Sequence, residues 1–338
     1  MSIALRSLAK INLGLKIGPP RADGFHSLMT IYQTIALHDI VRVAVEPGEG
    51  IEIRSSDPRV PCDSTNTCYK IAERVLKSTG KHIKVVIEIE KRLPVQGGMG
   101  AASSNAIATL LGLERVLGIE LPQGEKLRIA SEVGSDLPLF LIGGTILGVD
   151  RGQEVYALQD LPKTPLVVVT PPVGVSTPEA FARWDELVAS ESAGNGALTT
   201  NEHAVTMKER DQAANAWLSE RLLSQGFIAK RPASGVPAAG GDRAETPLLD
   251  LVRTGIENDF ERVVFPEYPE LREVKSVLQR EGARYASLSG SGSTLYGLFD
   301  SADEAEAAAQ RMRAAGHAAV ATRTVGRAEY WEQLAISN

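Results

Sequence analysis

The chain has 338 residues, of which 43% are hydrophobic and 23% charged, with a formal net charge of −6 and a pI of about 5.6. That length suits about two domains with real cores, and the acidic balance excludes a broad nucleic-acid surface, which needs a basic field. The two cysteines, Cys62 and Cys68, make neither a disulfide framework nor a zinc pattern, and no apolar run reaches a secretory leader or the roughly 18 residues of a membrane span, so a cytoplasmic protein with no membrane or nucleic-acid partner is expected.

Residues 3–17 alternate and read as strands broken at Lys10-Ile11-Asn12. Residues 18–27 read as a loop, followed by strands near 28–35 and 39–46. Residues 66–78 place Ile71, Ala72, Val75 and Leu76 on one helical face, and Gly80 stops that helix. Residues 83–89 alternate as a strand, with Ile83, Val85, Ile87 and Ile89 on one side. A glycine-rich run leads into a helix through about Leu117, ended by Gly118; a second helix spans 123–133, ended by Gly134. A strand near 145–149 follows Gly143-Gly144.

The strand Leu166–Val169 opens a second domain, giving expected units of 1–162 and 163–338. Ser176-Thr177-Pro178-Glu179 is a capping box that starts a helix. Residues 190–200 and 230–247 read as loops around a helical segment near 201–224, all within an insertion of about 185–250. A helix at 269–281, strands at Tyr285–Leu288 and Thr294–Phe299, a capped helix from Ser301 to about Ala315 and a strand near 318–325 make a split βαβ layer of α+β type.

The richest feature is the run Pro94-Val95-Gln96-Gly97-Gly98-Met99-Gly100-Ala101-Ala102-Ser103-Ser104-Asn105, which joins a strand to a helix. Small residues let backbone approach a ligand, and a helix N-terminus offers unpaired N–H groups with partial positive charge, so the run suits a phosphate. It is not a P-loop, because Ala101-Ala102 stand where Lys-Ser/Thr is needed. Neither His-Arg-Asp nor Asp-Phe-Gly occurs, which excludes a protein kinase. A dinucleotide site needs a strand ending in an acidic residue about 20 positions on, and Gly118-Ile119-Glu120-Leu121-Pro122 is too short and broken for one.

Other residues have ordinary readings one at a time. Lys10 suits a strand edge, Asp136 a turn, Asp23-Gly24 a tight bend and Ser289-Gly290-Ser291-Gly292-Ser293 a hairpin. Their order along the chain resembles the GHMP small-molecule kinases. The family's phosphate motif, Pro-x-Gly-x-Gly-Leu-Gly followed by Ser-Ser, is similar to Pro94–Ser104; its other two motifs look like Ala9-Lys10-Ile11-Asn12-Leu13 and Leu288-Ser289-Gly290-Ser291-Gly292. Within the family the likeness narrows to a kinase acting on a cytidine diphosphate sugar alcohol, through Arg21-Ala22-Asp23-Gly24-Phe25-His26-Ser27-Leu28, Gly134-Ser135-Asp136-Leu137-Pro138-Leu139-Phe140 and, more weakly, Asn258-Asp259-Phe260-Glu261.

The resemblance implies a two-domain GHMP kinase-like fold, with an N-terminal nucleotide-binding α+β domain and a C-terminal split-βαβ (ferredoxin-like) domain. It implies transfer of the ATP γ-phosphoryl group to a tertiary hydroxyl of that small-molecule substrate, in isoprenoid precursor biosynthesis. Asp136 would take the hydroxyl proton, and Lys10 would hold it ionised and stabilise the charge developing on the reacting oxygens. Asn12, Phe25, His26 and Ser176 would line the substrate side, with His26 bonding a cytosine edge and Phe25 stacking on its ring. Asn66 and Lys91 would flank the adenine of ATP, and residues 94–104 its phosphates. Mg²⁺ is expected from the chemistry, with no ligand assigned. The chain departs from the family at Gln96, Met99, Ala101, Ala102 and Phe25. Alanine disfavours positive φ, so Ala101 and Ala102 are expected to be helical already. Two other readings compete: a GHMP kinase of the mevalonate or homoserine type, whose substrate loops differ, and a silent nucleotide-binding protein, against which Lys10 and Asp136 both argue.

Overall fold

The computed structural model describes residues 2–21, 23–95, 97–194 and 257–336. Its first two strands run further than local patterning predicts. β1 (Ser2–Pro20) and β2 (His26–Glu46) pair antiparallel along most of their length. The break expected at Lys10-Ile11-Asn12 does not occur: Lys10 pairs with Thr34 and Asn12 with Tyr32, and register shifts fall on either side, between Leu8 and Ala9 and between Asn12 and Gly14, with a third between Ile17 and Pro20. Ala9, Ile11 and Leu13 are fully buried, so leaving the sheet would expose them. Bulges absorb the irregularity instead. The segments expected at 28–35 and 39–46 are likewise one strand. Ala36-Leu37 drop out of register opposite the first bulge, and no turn residue divides them.

β4 (Lys84–Glu90) pairs antiparallel with β2 and parallel with β3 (Gly50–Ser55), while β5 (Thr145–Val149) and β6 (Glu154–Ala157) extend the sheet beyond β2. β3 and β6 are short edge segments that the sequence reading does not include, although Ile51-Glu52-Ile53-Arg54 in β3 alternates. α1 (Thr67–Thr79), α2 (Ala101–Leu117) and α3 (Gln123–Val133) pack with this sheet in one hydrophobic cluster. α1 starts where the Asn66 side chain accepts the Cys68 N–H at 2.8 Å and stops at Gly80, φ 62°.

The second sheet joins β7 (Pro165–Val169), β8 (Tyr285–Leu288), β9 (Leu295–Leu298) and β10 (Ala319–Arg323) in the order β10-β7-β9-β8, antiparallel throughout. α4 (Thr177–Gly194), α5 (Glu261–Glu267), α6 (Pro269–Arg280) and α7 (Ala302–Ala314) accompany it, which realises the expected split βαβ layer. α4 continues past residue 190, where a loop was expected; the segments read at 201–224 and 230–247 lie outside the described residues.

The two layers interlock. Leu15 and Ile17 of β1 pack into the second core. A last helix, α8 (Arg327–Leu334), returns Tyr330 and Leu334 to the first core, while its Glu329 pairs with Arg323 of β10. A third cluster, including Ile11, Leu13, Met99, Val168 and Tyr296, joins both sheets. No helix among the described residues is long and apolar enough to cross a membrane.

Candidate active site

Gly100 begins α2 in the left-handed conformation, φ 66°, and offers no side-chain cap to the helix. The first-turn amides therefore stay available to an outside acceptor. Ala101 and Ala102 lie within the helix, as expected from their reluctance toward positive φ. Upstream, Gly98 has φ 80°, and a Cβ there would come within 2.2 Å of the Ser289 carbonyl. A Cβ on Gly292 would lie 2.6 Å from the Gly98 nitrogen. The two glycine runs thus pack backbone against backbone at a separation only glycine permits. Thr294 N–H donates to the Gly97 carbonyl at 3.2 Å, and the Ser289 hydroxyl to the Gly98 carbonyl at 3.1 Å. From behind, Asn258 Nδ2 donates to the carbonyls of Leu288 (2.9 Å) and Gly290 (2.7 Å), which gives the Asn258-Asp259-Phe260-Glu261 string a physical role. Met99 is 2% exposed and anchors the run in the third core cluster. Gln96 lies outside the described residues.

Beside this cradle stands Lys10, only 3% exposed. Its backbone N–H donates to the Met99 carbonyl at 3.0 Å. Its ammonium donates to Asn12 Oδ1 at 2.6 Å and lies 3.3 Å from Asp136 Oδ2. Asn12 in turn donates to the Thr30 hydroxyl at 2.7 Å, which donates to the Gly14 carbonyl at 2.7 Å. This relay sits between and beside the bulges of β1, so the lysine is held by the sheet itself. Asp136 follows α3 and precedes the 3₁₀ turn Pro138–Leu141. Its other oxygen accepts from Tyr32 Oη at 3.1 Å. Burial pushes the Tyr32 phenol well above its ordinary pKa, and the Asp136 charge adds to that, so the phenol remains a donor at neutral pH. A Cβ on Gly100 would crowd Phe140 at 3.0 Å and Lys10 at 3.1–3.2 Å, so helix start and lysine are closely packed.

Two clefts meet at the glycine run. One, of about 310 Å³, is walled by Val60, Pro61, Asn66, Lys91, Pro94, Val95, Gly97, Ala101 and Ala102. The other, of about 800 Å³, holds Lys10, Asn12, Phe25, His26, Tyr32 and Asp136. Gly98, Gly100 and Ser103 belong to both walls. Ser104, 2% exposed, lines neither. Asn66 borders the smaller cleft while its side chain caps α1 and donates to the Pro61 carbonyl at 2.6 Å. Lys91 also borders that cleft, but its ammonium pairs at 2.7 Å with the fully buried Asp39. Asp39 further accepts from the amides of Arg92 and Leu93, both at 2.7 Å, and from Asn105 Nδ2 at 3.0 Å, so it ties the entry of the glycine run to α2.

In the larger cleft Phe25 is 50% exposed, with the Arg151 guanidinium 4.9 Å from its ring centre. His26 is 8% exposed, stacks on Phe181 at 4.9 Å and 13°, and bonds Asp185 at 2.8 Å through Nε2. Ser176 is not part of this wall. Its carbonyl accepts the Ala180 N–H at 2.9 Å to start α4, and the neighbouring Thr177 faces the cleft, its hydroxyl 2.7 Å from that of Ser291. Tyr32, Arg151, Phe181, Asp185 and Asp39 escaped the sequence reading. Phe181 and Asp185 did leave a signal: they sit four residues apart in α4, on one helical face.

The chain matches the family described as GHMP kinases N terminal domain over residues 66–144 and that described as GHMP kinases C terminal over residues 245–318. The 4-diphosphocytidyl-2-C-methyl-D-erythritol kinase of Acaryochloris marina is 32% identical over 312 residues, covering 92% of this chain and 91% of the relative. The enzyme of the same name from Solibacter usitatus is 35% identical over 295 residues, 87% of this chain and 80% of the relative. A crystal structure of 4-(cytidine 5'-diphospho)-2C-methyl-D-erythritol kinase superposes with a TM-score of 0.66 at 28% identity, covering 96% of this chain and all of the other (100%). A homoserine kinase from Cytophaga hutchinsonii shares the fold, with a TM-score of 0.61 at 19% identity, covering 96% and 95% of the two chains.

Proposed function

The chain belongs to the 4-diphosphocytidyl-2-C-methyl-D-erythritol kinase family of the GHMP kinases and is a small-molecule kinase, and we propose that it phosphorylates the tertiary (2-position) hydroxyl of 4-diphosphocytidyl-2-C-methyl-D-erythritol, with Asp136 as the base and Lys10 as its electrostatic partner. One observation carries the reading. The Lys10–Asp136 pair faces the larger cleft at the wall, Gly98, Gly100 and Ser103, that this cleft shares with the smaller one. A phosphate seated on the glycine run and a hydroxyl beside Asp136 would meet there.

The cradle fits a nucleotide phosphate. Gly98 and Gly100 give the run its left-handed turns, φ 80° and 66°, and the uncapped α2 supplies amides and the positive end of its dipole. When bound, ATP supplies the phosphoryl group and a good leaving group. Asn66 and Lys91 border the cleft that would take its adenine, with Lys91 acting through Asp39 on the loop's position. A Mg²⁺ accompanying ATP takes oxygen ligands. Among the described residues no group of three or more His, Cys, Asp or Glu converges, so a cation here would draw most of its ligands from phosphate oxygens and water.

The protein's own steps follow from its contacts. Tyr32 and Lys10 hold the Asp136 carboxylate from two sides, leaving it aimed into the larger cleft, where it accepts the hydroxyl proton. Lys10, fixed by Asn12, presents its charge to the oxygens on which negative charge grows. Phe25, His26 and Phe181 form an aromatic end to that cleft suited to a pyrimidine ring. The test is a substrate panel. Purified protein with ATP and Mg²⁺ should release ADP with the cytidyl substrate, and phosphorus NMR should place the new phosphate on the tertiary hydroxyl oxygen. Turnover of mevalonate or homoserine in its place would sink the assignment, and no turnover of any alcohol beside normal ATP binding would favour a silent nucleotide-binding protein.

A further inference from the structure

We propose that Asp185 is a positioning residue that selects cytosine over uracil by fixing the tautomer of His26. The inference rests on the acceptor assignment above and adds to it a determinant of base choice. An ionised carboxylate only accepts hydrogen bonds, so the 2.8 Å contact between Asp185 Oδ1 and His26 Nε2 places a proton on Nε2. In the neutral ring Nδ1 is then an acceptor. The ring cannot turn freely to exchange the two nitrogens: it is 8% exposed and stacked at 13° on Phe181. His26, Phe181 and Asp185 all line the larger cleft, and the last two stand on consecutive turns of α4, so one helix holds the ring's face and its edge together.

An acceptor in this position discriminates between pyrimidines. The exocyclic amine of cytosine is a donor and satisfies it. The O4 of uracil is an acceptor and would set two lone pairs against each other. Asp185 itself need not touch the base; its 52% side-chain exposure leaves it room to be replaced without filling or emptying a core. Asparagine at this position can accept from Nε2–H or turn its amide and donate to Nε2; the second arrangement moves the ring proton to Nδ1, so the preference for cytosine weakens.

The experiment compares kcat/KM for the cytidine diphosphate substrate with that for its uridine diphosphate analogue, in the wild-type enzyme, Asp185→Asn and Asp185→Ala. Calorimetric ADP binding reports whether each variant keeps its fold. The wild-type protein should favour cytidine by about 100-fold or more, as sites built around a substrate hydrogen bond do. Asp185→Asn should lower that ratio by at least about tenfold, the size of one misplaced hydrogen bond. Asp185→Ala should lower it less, since an unheld ring can adopt either tautomer. A purely structural role would cut both substrates alike and leave the ratio where it was. An unchanged ratio in both variants overturns the role of Asp185 while the acceptor assignment stands. A wild-type enzyme that turns over neither compound, with ADP binding intact, overturns the assignment and this inference together.

Discussion

Asp136→Asn separates chemistry from architecture at this site. The substitution keeps the side chain's shape and one oxygen that can still accept from Tyr32, but removes a base able to take a proton. Loss of a positioned general base costs about 10²–10⁴ in rate, equivalent to about 3–5 kcal/mol on the barrier. The effect on folding is separate. Asp136 is 34% exposed but the Lys10 side chain only 4%, so solvent screens the 3.3 Å pair from one side only, and the stability lost should fall below the roughly 3–5 kcal/mol of breaking a fully buried pair. Lys10 also keeps its 2.6 Å bond to Asn12. Asp136 does not line the smaller cleft, so nucleotide affinity should stand. Steady-state turnover with the cytidyl substrate, urea unfolding and calorimetric ADP titration measure the three quantities on one preparation. A variant retaining wild-type kcat, or one losing ADP binding in step with turnover, would refute the role given to Asp136.

Other outcomes follow from the same contacts. Gly98→Ala should weaken ADP binding at least about tenfold, because its Cβ would sit 2.2 Å from the Ser289 carbonyl in a left-handed backbone; unchanged ADP affinity by calorimetry would show that the glycine runs need not touch. Lys91→Met should destabilise the fold by about 3–5 kcal/mol, by stranding the fully buried Asp39 carboxylate. Adding Asp39→Asn should recover part of that loss in denaturant unfolding, and strictly additive single effects would contradict a coupled pair. Native protein should take up one equivalent of iodoacetamide at pH 8, at the exposed Cys62; burial pushes the Cys68 thiol up to about 12, and it should react only after unfolding. Mass spectrometry of the labelled protein would show two equivalents if Cys68 is open.

The sequence shows this site unevenly, for reasons tied to particular residues. The glycine run and the helix starting at Ala101 are readable because backbone chemistry is local: φ at Gly100 and the reluctance of Ala101 toward positive φ need no partner. Helix stops at Gly80 and Gly118 are readable on the same ground. Lys10 is harder. A lysine in an apolar strand suggests an edge or a break, and only the register of β1 against β2, with a shift on either side of Lys10, turns it inward beside Asn12. Tyr32 is invisible to any local reading, because its relation to Asp136 exists only once two strands and a turn 104 residues away converge. Ser176 is a different case. Its capping pattern locates the helix correctly, yet the helix then turns Thr177, not Ser176, toward the cleft.

The departures at Met99, Ala101 and Ala102 bear differently on function once placed. Ala101 and Ala102 stand in ordinary helix, so their amides serve as glycine amides would. Met99 fills a core position where any large apolar side chain suffices. The constraint that cannot be relaxed lies elsewhere, where Gly98 meets Ser289 and Gly292. Those residues come from opposite ends of the chain, the first following β4 and the others joining β8 to β9. The proposed phosphate cradle is therefore not a property of the N-terminal motif alone. The second sheet supplies its floor, through Thr294 on Gly97 and Ser289 on Gly98, with Asn258 bracing that floor from below. A glycine run with this sequence but no second loop behind it would lack the contacts that hold Gly98 in its left-handed turn. That is why several motifs in order identify the site, while the phosphate motif by itself does not.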